Sequence, residues 1–573
     1  MIKKSSKKII SKNNQKILTS KKLNLKKSNL KKSEKLNEEK TKEIENKLKE
    51  NLQKTDYIFA LIIGISFILT SIFLLKIDEL KYLQSIFDFS SFASFTSPIL
   101  FIIGVIILIN LIWLKLGFGK HFGLKYIILM LKTKKFVNWI EHMTKKFGNI
   151  FEQMSIIGLF LGFGLTGVDY HIARKQSKIK RIFILLISSI IFALIFYYLI
   201  GFLFSVPLLA PLYLICFIAF IIMGLGGMTL AMVIGYGFLS IISLFNQTQI
   251  CPSVAPVIPG VAIPGFGVIF PLITWISLGL ILIIHELSHG VLLIKYKQKI
   301  NSVGLLVAGF FPIGAFVEQD DKTFNNLEKR KIVNVLSAGP SSNLLTIPIT
   351  LIFLILLSLL ISPFTTSLNS EYEQMYSGVS ILNVNQKVSF CGIDKNSPAF
   401  GKFQKGDILV SLNDSNQEIK NTNILNTIYS KTLDSNEPLK FIVLRDNNLV
   451  MISIMPVRFE MLGNKPFIGV DFENIKSDYV VPFQSTLIRE FLKSILTILN
   501  ALIILSFAVA MMNFVPASPL DGGMISQIIF LPYFSFLNMS EKDTMKFIGR
   551  LFTWLFWGAV VINLLPYLTM ALY

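Results

Sequence analysis

The sequence predicts an α-helical polytopic membrane protein of about nine spans that carries one small inserted mixed α/β domain. Apolar residues make up 52% of its 573 residues and charged residues only 16%, whereas about a quarter of an ordinary soluble chain is charged. Several apolar runs reach about 18 residues, which is long enough for a helix to cross a bilayer. These runs are too long and too uniform to be the buried core helices of a large soluble protein.

The first 56 residues form a basic tail. Much of the formal net charge of +21 lies there, and no acidic residue occurs before Glu34. Because lysine-rich segments beside a first span usually face the cytoplasm, we interpret residues 1–56 as a solvated, partly helical cytoplasmic tail. Binding to a lipid surface or to nucleic acid is the alternative. The tail has no aromatic residue that could stack on bases, so we expect no nucleic-acid partner.

The three cysteines are Cys216, Cys251 and Cys391, and they include no CxxC pair. The sequence therefore predicts no thiolate metal site and no disulfide framework. Cys251 and Cys391 could pair only if both lay on the same oxidising side of the membrane, and we interpret them as free thiols.

Residues 57–250 are predicted to form an N-terminal transmembrane region. Its clear apolar runs are Tyr57–Lys76, Pro98–Trp113, Ile182–Phe204 and Pro207–Phe245. The last run is broken by Gly224–Gly227 and is predicted as two spans hinged there. Ser155–Gly167 is apolar but short, so we predict an interfacial or re-entrant segment. The loop between the first two spans is acidic and the loop after them is lysine-rich, which places the amino terminus in the cytoplasm.

Residues 251–364 and 479–573 are predicted to be two halves of a membrane core. The first half contains a Pro-rich loop, the span Phe266–Ile294, the glycine-rich segment Asn301–Lys331 and the span Ala338–Ile361; the second contains Leu487–Met512 and Leu551–Leu572. The glycine-rich segment is predicted as strands or a re-entrant loop. Lysines follow Ile294 directly, so this span should end in the cytoplasm. The polar residues 365–478 between the halves have strand-like runs and are predicted to form an extracytoplasmic domain.

The span Phe266–Ile294 contains the sequence HELSH, an HExxH motif. On a helix, His285 and His289 lie four residues apart and therefore on one face, where both imidazoles can reach one zinc ion. Glu286 stands beside them as a general base for a water molecule held by that ion. The alternatives are a chance match and polar packing between helices. Ionisable residues inside a membrane helix cost about 2.5 kcal/mol or more, and this cost favours a functional interpretation.

Two histidines leave a catalytic zinc ion without its usual third protein ligand. Asp521 is the best candidate, because it lies in NFVPASPLDGG directly after the apolar run that ends at Met512. Its prolines and glycines should break the helix and turn the carboxylate inward. An ordinary loop aspartate at a helix end is the alternative.

The motifs HELSHG and NxxPxxxLDGG together resemble the site-2 protease family of intramembrane zinc metalloproteases. SAGPSSN, at 337–343, resembles the GPxxN segment of that family, and PVIPGVAIP and GAFVEQDD resemble its prokaryotic and archaeal branch. Gln319 replaces a proline that is usual in the last of these segments. The resemblance implies one zinc ion per chain held by His285, His289 and Asp521, with Glu286 as the general base. It also implies that Asn343 helps to hold substrate or the oxyanion, for which simple packing is the alternative.

Part of the inserted domain resembles a PDZ domain. The segment 396–414, NSPAFGKFQKGDILVSLND, is similar to the SPAxxAGLxxGDxIxxxNG signature, although Asn413 and Asp414 stand where Asn-Gly is usual. FIGV, at 467–470, resembles the strand that accepts a peptide in circularly permuted PDZ domains. Such domains bind an extended peptide at a sheet edge. A structural plug that only excludes bulky substrates is the alternative.

The sequence therefore predicts an intramembrane zinc endopeptidase of the cell membrane that acts in regulated intramembrane proteolysis. His289 lies six residues, or about 9 Å of helix, before Lys295, which puts the metal inside the bilayer toward the cytoplasm. The expected partners are transmembrane protein substrates, the lipid bilayer and a peptide for the PDZ-like domain. The alternatives are a catalytically silent scaffold and a metal transporter. A silent homologue would usually lack Glu286 or a ligand, and a transporter would scatter polar residues along several spans.

Overall fold

The fold is given by a computed structural model of the chain. It describes residues 58, 60–72, 89–117, 120–121, 127–203, 212–246, 254, 257–261, 270–320, 323–324, 326–390, 393–413, 415, 418–430, 437–459, 466–479 and 482–566. The predicted basic tail, Cys251, Cys391 and most of the Pro-rich loop lie outside these residues, so the predictions about them remain predictions.

The chain divides into two units, 1–131 with 306–311, and 132–305 with 312–573. The first contains helices α1 (Ala60–Ile72) and α2 (Phe89–Lys115), and strand β1 (Lys120–His121), which pairs antiparallel with β2 (Leu129–Thr133). A Cβ on Gly104 would lie 2.8 Å from the carbonyl oxygen of Gly64. The two helices therefore pack at a distance that only glycine allows, as small residues do in membrane helix pairs.

The second unit is mainly helical. Its helices are α3 (Lys135–His171), α4 (Lys178–Leu203), α5 (Tyr213–Phe245), α6 (Thr274–Lys295), α7 (Lys329–Gln374), α8 (Thr422–Ser430), α9 (Phe483–Phe514), α10 (Asp521–Ile529) and α11 (Glu541–Ile562). Among the described residues, seven helices are long and apolar enough to cross a membrane, and all seven belong to this unit. The helices Ala60–Ile72 and Leu100–Lys115 are apolar but shorter. The chain is therefore built as a multi-pass membrane protein, while the count of about nine spans remains a prediction.

Two helices of this unit contain a break in their helical geometry. Ser155–Gly167 is not separate from the residues before it: it continues the helix that begins at Lys135, and α3 is broken within it at Gly164. Residues 213–245, α5, are long and apolar enough to count as one candidate span, but two helical parts meet within them, as the sequence predicts. Its helical geometry is interrupted at Met223 and Gly224, where the sequence predicts a hinge. Glycine accepts the left-handed backbone that each break requires.

The glycine-rich segment after α6 forms strands, which was one of its two predicted forms. Strands β3 (Ile300–Ala308) and β4 (Phe311–Gln319) are neighbours, and β4 is the last strand of its sheet. One edge of β4 therefore has no neighbouring strand within the described sheet. Such an edge can accept a further strand.

The inserted domain is mixed α/β, as its alternating pattern predicts. Its five-stranded sheet has the order β10 (Asn448–Ile454), β9 (Leu439–Arg445), β8 (Ile408–Leu412), β5 (Tyr376–Val384) and β13 (Val470–Lys476). Two short antiparallel pairs accompany the sheet: β6 (Lys387–Phe390) with β7 (Ile393–Asn396), and β11 (Val457–Arg458) with β12 (Pro466–Phe467). Inward-facing residues such as Ile381, Leu412 and Phe441 form a separate hydrophobic core with α8. Helix α7 ends at Gln374, so the first ten residues of the predicted domain are still helical.

Candidate metal centre

Helix α6 presents two histidines on one face. The four-residue spacing brings the rings of His285 and His289 to a centroid distance of 4.8 Å. Both residues are buried, with 6% and 9% of their surface exposed. The helix that carries them is mainly apolar, and the burial of both imidazoles keeps most water away from them.

Asp521 completes the cluster from more than 230 residues away in the sequence. One of its carboxylate oxygens, Oδ2, lies 3.1 Å from Nε2 of His285 and 3.4 Å from Nε2 of His289. All three ligand atoms are within 4.8 Å of one another. Two ligand atoms of a tetrahedral zinc site, with bonds of about 2.0–2.1 Å, are about 3.3 Å apart. Two imidazoles and one carboxylate at these distances therefore fit a zinc ion and leave its fourth position open.

The opposite ring nitrogens of the two histidines also have partners. Nδ1 of His289 donates to the carbonyl oxygen of Val335 at 2.7 Å, which leaves Nε2 as a lone-pair donor to a metal. The side-chain amide of Asn343 lies 3.0 Å from Nδ1 of His285. Ligating histidines usually donate their second N–H to such a group, which fixes the ring and raises its basicity. Both rings are thus oriented with Nε2 toward Asp521.

Asn343 therefore lies beside a metal ligand. Its Oδ1 is buried and has no hydrogen-bond partner among the described residues. The oxygen and nitrogen of an amide exchange places by a 180° rotation, and turning Oδ1 toward His285 would let it accept the Nδ1–H. The geometry supports a role in orienting His285, at the ring edge opposite Asp521, and the role in holding substrate remains a prediction.

Gly339 is a site residue that the sequence analysis did not single out. A Cβ at this position on α7 would overlap Nε2 of His289 and lie 2.5 Å from Nε2 of His285. Any side chain here would push the ligands out of position. The signal was present in SAGPSSN, where the glycine stands four residues before Asn343, but only the approach of α7 to α6 reveals what it is for.

The turn before α10 positions Asp521. Asp521 is the first residue of that helix and follows the cis Ser518–Pro519 bond by two residues. An acidic residue in the first turn of a helix is favoured by the helix dipole. The two glycines of LDGG do not break a helix, as the sequence suggested, but lie inside the first turn of α10. A Cβ on Gly523 would lie 2.6 Å from the backbone nitrogen of Ser518, so the turn folds back closely against the helix.

Helix α11 secures the same turn from the other side. The indole N–H of Trp557 donates to the carbonyl oxygen of Ser518 at 2.8 Å, and the N–H of Ser518 donates to the hydroxyl of Thr553 at 3.0 Å. Neither Thr553 nor Trp557 belongs to a motif, so no sequence pattern indicates their role. Both hydrogen bonds restrict the backbone three residues before Asp521.

Glu286 lies between the histidines and strand β4. The backbone N–H of Val317 donates to Oε2 of Glu286 at 3.1 Å. A carboxylate held by one oxygen keeps its second oxygen for other partners. Because Glu286 is adjacent to His285 in sequence and is partly buried, its carboxylate is placed to accept a proton near the metal ligands.

Comparison with known proteins identifies the segment that carries this site. Residues 273–556 match the sequence model of Peptidase family M50. A stretch of 260 residues is 29% identical to an uncharacterized protein of Methanocaldococcus jannaschii, and it covers 45% of this chain and 57% of that protein. The alignment thus spans little more than half the length of that relative. His285, Glu286, His289, Asn343 and Asp521 all lie inside the segment that matches the family.

Proposed function

We propose that this chain, which belongs to peptidase family M50 through residues 273–556, is a zinc endopeptidase that cleaves membrane proteins within or near their transmembrane segments. The observation that carries the proposal is the convergence of His285, His289 and Asp521 in one buried cluster. Glu286 lies next to them, and the remaining ring nitrogens are already hydrogen-bonded. The M50 relation supports the metalloprotease class, and the cluster supports the assignment of these residues.

The chemistry follows from the residues that surround the cluster. A zinc ion held there would act as a Lewis acid on a peptide carbonyl and would lower the pKa of water to about 7. Glu286 would accept the proton of the attacking water and pass it to the leaving amine. The N–H of Val317 would hold the Glu286 carboxylate in place during both transfers, and Asn343 would hold His285.

The position of the cluster supports a substrate inside the membrane. The two histidines lie in α6, which is long and apolar enough to span a bilayer. A transmembrane helix conceals each peptide bond in its own hydrogen bonds. Such a substrate must therefore be locally unwound before its backbone can reach the metal ligands, and an extended backbone needs new hydrogen-bond partners.

Strand β4 would provide those partners. The N–H and C=O of one strand residue point to the same side, and this side alternates along the strand. Since the N–H of Val317 points to Glu286, the backbone groups of Ile313 and Ala315 should face the same edge. We propose that an extended substrate segment adds to this edge of β4, which would lay its scissile bond beside Glu286.

Substituting Ala315 by proline tests this edge. The variant lacks one N–H that we expect a substrate strand to use, so its cleavage rate should fall by about 2- to 13-fold, since a lost hydrogen bond costs about 0.5–1.5 kcal/mol. Its zinc content should stay at the wild-type level. Ala315→Val keeps the N–H and serves as the matched control. Equal cleavage by wild type and Ala315→Pro would show that the substrate does not bind to the edge of β4.

We further propose that the inserted domain is PDZ-like and binds an extended peptide. A cavity of about 410 Å³ lies between α8 and the segment 466–472, and its lining includes Asn426 and Tyr429 of α8 and Phe467 of FIGV. Tyr429 donates to the carbonyl oxygen of Pro466 at 2.7 Å, which fixes one wall. A groove between a helix and an extended segment is the shape that strand addition requires.

Asn426→Trp tests peptide binding by this domain. Asn426 is exposed at the rim of the cavity, and a tryptophan there should occupy the cavity. We expect cleavage of a substrate with an extended extramembrane tail to slow by about 10-fold, with little change for a substrate trimmed close to the membrane. Thr427→Trp is the control, because Thr427 is exposed but does not line the cavity. If neither variant alters cleavage, the domain serves as a plug and not as a peptide receptor.

A silent scaffold and a metal transporter are less well supported by this geometry. Glu286 and all three metal ligands are present, whereas a catalytically silent homologue would usually lack at least one of these four residues. The orienting hydrogen bonds at both Nδ1 atoms also suit a resident metal that must stay in place better than a metal that must leave. A role in regulated intramembrane proteolysis follows only if the enzyme acts on membrane-bound regulators, which identification of its cleaved substrates in cells would test.

A further inference from the structure

Helix α3 reverses direction close to the metal centre. Gly164 has a φ of 51° and a ψ of −137°, which no helix contains. A Cβ on Gly167 would lie 2.8 Å from the carbonyl oxygen of Leu159. In a straight helix, residues eight positions apart are separated by about 12 Å. The last two turns of α3 therefore fold back along the helix that precedes them.

Helix α5 does the same. Gly224 has a φ of 58° and a ψ of −152°. A Cβ on Gly227 would lie 2.8 Å from the carbonyl oxygen of Ala219, again eight residues earlier. Both reversals precede residue 273, so they lie outside the segment that matches the peptidase family.

The two reversals interlock. A Cβ on Gly164 would lie 2.5 Å from the carbonyl oxygen of Ile221 and 2.6 Å from the nitrogen of Gly224. In the other direction, a Cβ on Gly224 would overlap the carbonyl oxygen of Leu161. At each reversal, the backbone of one helix thus occupies the space that a side chain on the other helix would need. At these distances, neither helix can move relative to the other without disrupting the packing between their backbones.

The interlocked reversals of α3 and α5 contact Phe514, the last residue of α9. A Cβ on Gly162 would overlap the Phe514 ring, and a Cβ on Gly226 would overlap its carbonyl oxygen. The ring also packs edge-on against Phe163, at a centroid distance of 6.3 Å. Phe514 is fully buried. Its ring and its backbone are therefore both fixed from the side of α3 and α5.

The same carbonyl group also contacts the metal-binding turn. A Cβ on Gly522 would overlap the carbonyl oxygens of Phe514 and Val515. Gly522 is the residue directly after Asp521. The Phe514 carbonyl is consequently in close contact with both Gly226 and the first turn of α10, so that a shift of Phe514 would press on the residue directly after Asp521.

We propose that the interlocked reversals of α3 and α5 position Asp521, so that helices outside the peptidase segment are part of the metal centre's support. Gly162 and Gly226 are positioning residues in this account, because they act through Phe514 and do not contact a ligand. The inference rests on the proposed metal site. It predicts that a methyl group at either glycine displaces Phe514, whose carbonyl oxygen contacts Gly522, and thereby weakens metal binding, although no ligand has been changed.

The test is the zinc dissociation constant of the full-length purified protein, measured by competition with a chromophoric chelator. Gly162→Ala and Gly226→Ala should each raise this constant about 10- to 100-fold, the range seen when groups that orient a ligand are lost. Gly279→Ala is the control. It adds the same methyl group to α6 itself, where the nearest atom is 3.7 Å away in Pro312, and it should bind zinc as the wild type does.

A compensating pair separates positioning from a general loss of folding. Phe514→Leu removes the ring that an alanine at position 162 would overlap, so the double variant Gly162→Ala/Phe514→Leu should bind zinc more tightly than Gly162→Ala alone. Wild-type zinc affinity in both glycine variants would overturn the proposal. So would a lower melting temperature of the metal-free protein with no change in affinity, because the glycines would then be only structural. If the wild type itself binds no zinc, the proposed function fails instead.

Discussion

Replacing Asp521 by alanine should abolish stable zinc binding and proteolysis together. The carboxylate supplies one of three ligands, and its oxygen lies 3.1 and 3.4 Å from the two imidazole nitrogens. Loss of a group that only orients a ligand costs about 10- to 100-fold in metal affinity, so loss of a ligand should exceed about 100-fold. Metal analysis of the purified variant, together with cleavage of a model membrane substrate, measures both effects.

Asn343→Leu is the graded control for that experiment. It removes the partner of His285 but no ligand, so zinc affinity should fall by about 10- to 100-fold and less than in Asp521→Ala. Cleavage should recover at high zinc in the Asn343 variant and not in the Asp521 variant. Full zinc occupancy of Asp521→Ala would exclude Asp521 from the site.

Replacing Glu286 by glutamine should stop cleavage while zinc remains bound. Glutamine has nearly the same shape and can still accept the hydrogen bond from Val317, but it cannot take a proton from water. General-base catalysis usually contributes about 10²- to 10⁴-fold, so the rate should fall by at least that range. Single-turnover cleavage with a matched zinc analysis checks the prediction. Glu318→Gln, which alters an acid on β4 that binds Lys132 at 2.9 Å, is the control and should remain active.

The Asp521 and Glu286 variants should differ in their zinc content. Glu286→Gln should lose activity and keep the metal, which identifies Glu286 as the base. Asp521→Ala should lose both, which identifies Asp521 as a ligand. If both variants lost zinc, Glu286 would be a ligand and not the base. If both kept zinc, the third ligand would have to come from another residue.

Much of the metal centre could be predicted because its ligands sit in local patterns. His285 and His289 follow the periodicity of a helix, which the sequence displays directly. Asp521 was predicted from the need for a third ligand and from its place after an apolar run. The structure brings all three together, which is a long-range contact that neither pattern alone contains.

The supporting residues could not be predicted in the same way. Val335 contributes only a backbone carbonyl oxygen, which any residue would provide. Gly339 is required because another helix approaches at that point, and such an approach depends on the packing of the whole unit. The role of Gly162 and Gly226 likewise appears only when Phe514 is placed between them, since a glycine in an apolar run otherwise indicates just a weak helix position.

The fold shows the same division. Apolar length predicted candidate spans, and glycines predicted the break in α5. The sequence did not indicate that Ser155–Gly167 continues a helix that begins at Lys135, because the preceding part of α3 contains many polar residues and so forms no apolar run that marks its start. The boundary at residue 365 was displaced for a similar reason: α7 continues past its apolar part to Gln374, as helices do when their polar turns extend beyond a membrane.

The central claim is that a single zinc ion at this cluster drives proteolysis, and chelation followed by reconstitution tests it most directly. Purified full-length protein in detergent or lipid vesicles would be stripped of metal, assayed on a model transmembrane substrate, and then titrated with zinc. We expect no cleavage by the stripped protein and full recovery at about one zinc ion per chain. Undiminished cleavage by protein that contains no metal, or recovery that Asp521→Ala matches, would contradict the account.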